Sequence, residues 1–251
     1  MTGGPVLTVR GAAKRFGAVV ALAGVDLDVA AGEVLALLGD NGAGKSTLIK
    51  CISGVYRLDE GTVEMDGRTV DISSPAVARS LGIETVYQDL ALFDNLDPAA
   101  NFYAGREIAG PRWLPPGLRF MRRADMAGDT AKVLQRLQVS IADARTSVGL
   151  MSGGQRQAIA VARAAAFASQ LVILDEPTAA LGLRESRSVL DLIKRLRDEG
   201  RAVIVISHAM DHVIEIADRA AVMRRGRKVG EEIPHADNRQ RIVSLIVGGD
   251  D

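Results

Sequence analysis

Three short apolar runs stand out along the chain: Val34-Leu35-Ala36-Leu37-Leu38, Leu171-Val172-Ile173-Leu174 and Ala202-Val203-Ile204-Val205-Ile206. Runs of this length without polar alternation predict strands buried on both faces, as in a parallel sheet. Each leads through a polar turn into a helical pattern. Residues 47–53 set Leu48, Ile49 and Ile52 on one face and stop at Gly54. Residues 184–199 set Val189, Ile193 and Leu196 at helical spacing and stop at Gly200. Repeated strand–turn–helix units predict an α/β fold with a mostly parallel sheet.

Other segments read differently. Residues 62–65 and 68–70 flank Asp66-Gly67, a hairpin signal. Val222-Met223 and Lys228-Val229 flank a second glycine-containing turn at 224–227. These hairpins predict an antiparallel portion beside the parallel sheet. Residues 90–169 show no strong strand, and helical periodicity dominates there, interrupted by a loop at 111–117. The expectation is one domain over 1–251: a core of about 1–89 and 170–251, with a helical subdomain inserted at about 90–169. A last helix, 238–247, should end at Gly248-Gly249.

Composition narrows the function classes. Of 251 residues, 47 % are apolar, enough for a core, and 31 basic residues balance 31 acidic ones. Zero net charge argues against a general nucleic-acid binder. No apolar run approaches the ~18 residues of a membrane span. The start, Met1 to Pro5, lacks the basic and apolar regions of a secretory signal. The single cysteine, Cys51, cannot form an internal disulfide, and we read it as a small apolar packer. A secreted disulfide scaffold and a membrane-spanning chain are thereby excluded, and a cytoplasmic globular protein is expected.

Gly39-Asp40-Asn41-Gly42-Ala43-Gly44-Lys45-Ser46 matches G-x-x-x-x-G-K-[ST] between a buried strand and an amphipathic helix. Glycines let backbone N–H groups curl around phosphate oxygens, and the helix N-terminus adds positive potential. Lys45 should reach the β- and γ-phosphates, and the Ser46 hydroxyl should ligate Mg²⁺. Thr47, next in the chain, is grouped with this ATP-binding set.

The apolar run 171–174 ends in Asp175-Glu176. Beside a phosphate loop, Asp175 can hold Mg²⁺ directly or through water. Glu176 is expected to point the opposite way along the strand. There it could polarise the water that attacks the γ-phosphate, help typically worth ~10²–10⁴ in rate. The run 202–206 ends in Ser207-His208, and His208 is expected to sense the γ-phosphate. His212 and His235 lack such context and read as surface residues. Ser152-Gly153-Gly154-Gln155 opens an alanine-rich helix reaching about Phe167, with Ser152 as its N-cap and its end exposed to an anion. One chain then carries two anion sites and one lysine. A two-fold dimer, each helix end completing the partner's nucleotide site, would resolve this.

The order of the phosphate loop (39–46), Gln88, Ser-Gly-Gly-Gln (152–155), Leu-Asp-Glu-Pro-Thr (174–178) and Ser-His (207–208) resembles the ATP-binding cassette ATPases over nearly the whole chain. The resemblance implies a P-loop NTPase core and a head-to-tail dimer sandwiching two ATP molecules. It implies hydrolysis that drives a membrane permease between inward- and outward-facing states. Gln88 resembles the family's glutamine that contacts Mg²⁺ and links to the helical subdomain. Phe16 stands where the family has an adenine-stacking aromatic, usually tyrosine; it keeps the π-face, and such stacking is worth ~1–3 kcal/mol.

Within the family the chain looks like the ATPase of monosaccharide importers of the ribose, xylose and fructose type. The segments that carry this are Phe16-Gly17-Ala18-Val19-Val20-Ala21-Leu22, Met151-Ser152-Gly153-Gly154-Gln155-Arg156-Gln157 and Glu176-Pro177-Thr178-Ala179-Ala180-Leu181-Gly182. The general family usually has leucine where Met151 stands and aspartate where Gly182 stands, in the loop spanning the dimer interface. Gly182 is similar to the monosaccharide subgroup, and puts any contact by that aspartate in doubt. The implied partners are polytopic permease subunits, a second ATPase copy or another cassette and, indirectly, a sugar-binding protein, with no nucleic acid. The implied place is the cytoplasmic face of the cell membrane. The permease should dock in the groove between core and helical subdomain, near Leu90, Leu92 and Phe93, which read equally as packing residues. Residues 119–123, basic and aromatic, read as a solvated loop edge. The competing functions are an ATP-gated module on ribosome or DNA and a small-molecule kinase, which would leave residues 152–155 without a role.

Overall fold

The structure is a computed structural model that describes residues 4–248 apart from 112, 114, 116–118, 142 and 180. The chain opens with two long strands, β1 (Pro5–Phe16) and β2 (Val19–Ala30), paired antiparallel. β3 (Val34–Leu38) is buried throughout and leads into α1 (Lys45–Ile52). β4 (Glu60–Met65) and β5 (Arg68–Val70) form the hairpin expected at Asp66-Gly67, where both residues take the positive φ of the tight hairpin turn. α2 (Pro75–Ser80), capped by Ser74, precedes β6 (Ile83–Val86).

The next stretch is helical as expected: α3 (Pro98–Tyr103), then α4 (Arg123–Arg136) and α5 (Gly153–Phe167). Between α3 and α4 lie two-residue strands, β7 (Ala109–Gly110) and β8 (Phe120–Met121). Of the loop expected at 111–117, residues 112, 114, 116 and 117 fall outside the described residues. β9 (Leu171–Asp175), α6 (Leu183–Asp198), β10 (Ala202–Ile206) and α7 (Met210–Ile216) follow. The chain closes with β11 (Arg219–Arg224), β12 (Arg227–Glu232) and α8 (Arg239–Val247). Gly248 ends α8 in the left-handed conformation, while Gly249 lies outside the described residues. Among the described residues no helix is long and apolar enough to cross a membrane.

Two sheets face each other. One has the order β12-β11-β3-β10-β9-β6, parallel except for the antiparallel edge strand β12. The other is antiparallel, in the order β2-β1-β4-β5. The second expected hairpin therefore extends the parallel sheet rather than joining the antiparallel one. The run criterion passes over β1, β2 and β6, which the structure adds.

Alternation distributes the buried side chains. Leu171 and Ile173 of β9, with Ile204 and Ile206 of β10, join Leu48, Ile49 and Ile52 of α1 and Leu7 and Leu27 of the antiparallel sheet in one core cluster. Val172, Leu174, Val203 and Val205 face the other way, onto Ile159 of α5 and Val189, Ile193 and Leu196 of α6. The parallel sheet is thus covered on both faces, which is why its strands lack polar alternation.

Candidate functional site

Four neighbouring parallel strands, β3, β10, β9 and β6, end on the same edge of the sheet. The residues that follow them are the phosphate loop, Ser207-His208, Glu176 and Tyr87-Gln88 in turn. Open parallel sheets place ligands at this edge. The topology therefore brings together what sequence spacing could only list along the chain.

The phosphate loop is built on close backbone approaches. Gly39 has φ of 143°, and a Cβ there would lie 2.2 Å from the Met223 carbonyl oxygen. Gly44, with φ of 102°, would place a Cβ 2.7 Å from the Ala21 carbonyl oxygen. Gly226 N–H, from the β11–β12 turn, donates to Ala43 O at 2.9 Å and braces the loop from behind. Helix α1 begins at Lys45, two residues earlier than the pattern suggests, so the lysine lies in the helix's first turn. Its Nζ donates to Gly39 O at 2.6 Å and Asp40 O at 3.0 Å, folding the charge into its own loop. Burial lowers the Lys45 pKa, and the charges of Glu176, Asp175 and Asp40 oppose that. The Ser46 hydroxyl is on an exposed residue of the same turn.

β9 ends at Asp175, and Glu176 lies beyond it with φ of 53°. Its direction is therefore set by a turn, not by strand alternation, which corrects the expected geometry. Such a φ is strained for a non-glycine residue and persists where surroundings over-determine it. Here Glu176 N–H donates to Ile206 O at 2.9 Å, and Ala179 N–H closes the turn on Glu176 O at 3.1 Å. Glu176 Oε1 lies 3.3 Å from His208 Nε2, with side-chain exposures of 17 % and 55 %. That oxygen is buried and makes no hydrogen bond among the described residues. Burial raises the Glu176 pKa, opposed first by the charge of His208. Burial likewise raises Asp175, opposed first by Lys45.

His212 departs from its surface reading. It is half-buried on α7, and its Nδ1 lies 3.0 Å from Thr178 Oγ1. Its one sequence cue is its position a single helical turn after His208. His235 is exposed as expected.

The remaining residues fall nearby or apart. Gln88 is exposed in the loop after β6. Phe16 is 41 % exposed at the end of β1, its ring edge-on to Tyr56 at 5.1 Å. Ser152 to Gln155 are not drawn into this cluster. α5 packs chiefly on α6, β6, α4, α3 and β9. Its start is a full capping box, Ser152 Oγ accepting from Gln155 N–H and Gln155 Oε1 from Ser152 N–H. Gly154 has a packing reason as well, because a Cβ there would lie 2.2 Å from Glu185 Cγ. Gly182 is the N-cap of α6 and makes no side-chain cap; a Cβ there would lie 2.6 Å from Glu185 Oε2. Ala180, between these segments, is outside the described residues.

The ABC transporter family profile matches residues 22–179. The chain belongs to the ABC transporter family. Among curated relatives of this ABC chain, the fructose import ATP-binding protein FrcA of Rhizobium meliloti is 49 % identical over 90 % of this chain and 87 % of that protein. The xylose/arabinose import ATP-binding protein XylG of Sulfolobus acidocaldarius is 43 % identical over 96 % of this chain and 93 % of its own. The fold is similar to that of a nucleotide-free ATP-binding cassette from an ABC transporter, with a TM-score of 0.81 at 24 % identity, covering 97 % of this chain and 95 % of that one.

Two arginines of this ABC chain to which sequence reasoning gave no role hold the loop after Gln88. Arg163 of α5 donates to Leu90 O at 2.9 Å and Ala91 O at 2.8 Å, and Arg156 pairs with Asp94 at 3.1 Å. Leu90 and Leu92 pack on the core, whereas Phe93 is 54 % exposed. Phe93 lines a groove of about 600 Å³ with Leu96, Tyr103, Met121 and Met126. Cys51 is buried, which pushes its thiol up to about 11. Phe120 and Met121 are exposed, as expected of a solvated edge, but they form β8 and Arg123 opens α4, so the segment is not the expected loop.

Proposed function

We propose that this chain is the ATP-hydrolysing subunit of a membrane importer for a monosaccharide. The observation that carries the chemistry is the convergence of Lys45, Asp175, Glu176 and His208 on adjoining strand ends. The two import ATP-binding relatives named above support the cargo class.

The residues divide the work. The backbone of Gly39, Asp40, Asn41, Gly42, Ala43, Gly44, Lys45, Ser46 and Thr47 cradles the phosphates. Lys45 exchanges its two carbonyl partners for β- and γ-phosphate oxygens. Phe16 supplies the π-face for adenine. Glu176 Oε1, buried and without a hydrogen bond among the described residues, accepts the hydrogen bond of the attacking water. As water oxygen bonds to the γ-phosphorus and the bond to the β-phosphate bridge breaks, Glu176 takes the proton. His208, whose Nε2 stands 3.3 Å from Glu176 Oε1, donates to the γ-phosphate beside that carboxylate.

Among the described residues no cluster of three or more His, Cys, Asp or Glu could hold a metal. Ser46, Asp175 and Gln88 are oxygen donors of the kind Mg²⁺ prefers and would hold it with waters and phosphate oxygens. When bound, Mg²⁺ neutralises charge on the β- and γ-phosphates.

Ser152, Gly153, Gly154 and Gln155 lie outside the cluster because they serve the nucleotide of a second copy, across a head-to-tail dimer. Residues of about 90–169 act as the helical subdomain. The groove at Phe93 receives a cytoplasmic segment of the permease, and the subunit sits at the cytoplasmic face of the membrane. The test is copurification followed by transport. The chain should copurify with a polytopic permease, and vesicles holding both, supplied with the sugar-binding protein on the opposite face, should accumulate a monosaccharide only with ATP on the ATPase side. Copurification with ribosomes, or phosphorylated sugar without free phosphate, contradicts the reading.

A further inference from the structure

We propose that His212 is a positioning residue for hydrolysis, acting through the hydroxyl of Thr178 on the turn that carries Glu176; this rests on Glu176 being the residue that activates water. Thr178 is buried, and its Oγ1 lies 3.0 Å from His212 Nδ1. The hydroxyl can donate or accept, so either ring tautomer sustains the bond.

The turn from 176 to 179 is tied to the segment that carries His208 by the 3.3 Å approach of Glu176 Oε1 to His208 Nε2 and, among the described residues, by two hydrogen bonds. At its start, Glu176 N–H donates to Ile206 O at 2.9 Å. At its third residue, Thr178 meets His212 of α7. Pro177, between them, has no N–H to add a third. α7 itself follows Ser207-His208-Ala209, a loop tightened by Ala209 N–H donating to Ser207 Oγ at 3.1 Å. Beneath the turn lies a void of about 10 Å³, lined by Pro177, Thr178, Ser207, His212 and Val213. That is the lower limit for one water, so little room for solvent lies beside the intact bond.

These attachments fix one geometric quantity. Glu176 stands at φ of 53°, a conformation that needs external support, and its carboxylate must face both water and phosphate. His212 holds the far end of the turn to the same helix whose preceding loop presents His208. The bond therefore acts with the Glu176 N–H to Ile206 O tether in setting how the water-activating carboxylate faces the phosphate-sensing imidazole. Misplacing a catalytic group by about 1 Å can cost 10²-fold in rate without loss of binding.

The experiment is steady-state ATP turnover by the purified chain. Thr178→Val and His212→Ala should each lower kcat about tenfold with KM for ATP unchanged. The double variant should be no slower than the slower single one, because both remove the same bond. Thr178→Ser and His212→Asn, which keep a hydroxyl and a nitrogen near Nδ1, should stay within threefold of the parent. If the first pair does not fold, His212→Gln decides, since it cannot reach the Nδ1 position: it should be about tenfold slower than His212→Asn. Parent-like kcat in Thr178→Val or His212→Ala, losses that multiply in the double variant, or equal rates for His212→Asn and His212→Gln overturn the proposal. Glu176→Gln is run alongside. If it hydrolyses ATP as the parent does, the role of Glu176 itself has failed, a result distinct from failure of the clasp alone.

Discussion

Glu176 Oε1 stands 3.3 Å from His208 Nε2, joining the ends of β9 and β10 at the edge where the phosphate loop also opens. The carboxylate oxygen is buried and makes no hydrogen bond among the described residues. An unpaired acceptor in such a place is costly unless a ligand or water completes it. Glu176→Gln keeps the shape and removes the proton acceptor. It should lower kcat by about 10²–10⁴ while ATP binding persists. Phosphate release and equilibrium ATP binding, measured on the same preparation, check this.

Lys45 should matter more to binding than to folding. Its Nζ is buried on Gly39 O and Asp40 O, and that burial works against its charge. Lys45→Ala should leave the nucleotide-free melting temperature nearly unchanged. It should weaken ATP binding roughly 10- to 100-fold, the scale of a lost hydrogen bond to a charged group. The rise in melting temperature with ATP should then shrink or vanish, which thermal unfolding with and without nucleotide measures.

Gly39→Ala should damage the cradle by another route. A Cβ at this φ of 143° would lie 2.2 Å from Met223 O, a backbone atom that cannot swing aside. The strain should cost at least ~1–3 kcal/mol and displace the loop. Denaturant unfolding should show the loss, accompanied by weakened ATP binding. Gly42→Ala is the control for crowding, because nothing lies within 4 Å of a Cβ there, although its φ of 81° is also strained.

Cys51 should be silent in the folded protein. Burial raises its thiol to about 11. A raised pKa means less thiolate at a given pH, so at pH 8 only about one molecule in 10³ carries the nucleophile. Labelling by a soluble maleimide at pH 8 should be slow in the native chain and fast in denaturant. Rapid native labelling contradicts the packed position.

The buried runs at 34–38, 171–174 and 202–206 were legible because parallel strands covered on both faces leave no polar positions. β1 and β2 escape that criterion. Their pairing carries several register shifts, which break the alternation that Val25, Leu27 and Val29 otherwise display against Asp26 and Asp28. β6 is four residues long with a half-buried middle. At the site, residue types and order carried the chemistry, while local backbone did not follow from them. The turn at Glu176 depends on a bond to Ile206, 30 positions on, and the partnership of His212 with Thr178 spans 34. Likewise Gly154 reads as an anion-binding glycine in sequence, yet it is also where Glu185 crosses α5.

The account turns on nucleotide being shared between two copies, since Ser152 to Gln155 start a helix whose packing lies away from the phosphate loop. Light scattering on the Glu176→Gln protein, with ATP and Mg²⁺ against neither, tests this most directly. The predicted result is a doubling from the 26.6 kDa single chain on adding nucleotide, abolished by a charged residue at Gly153. A species that binds ATP stoichiometrically and stays at the mass of one chain would contradict it.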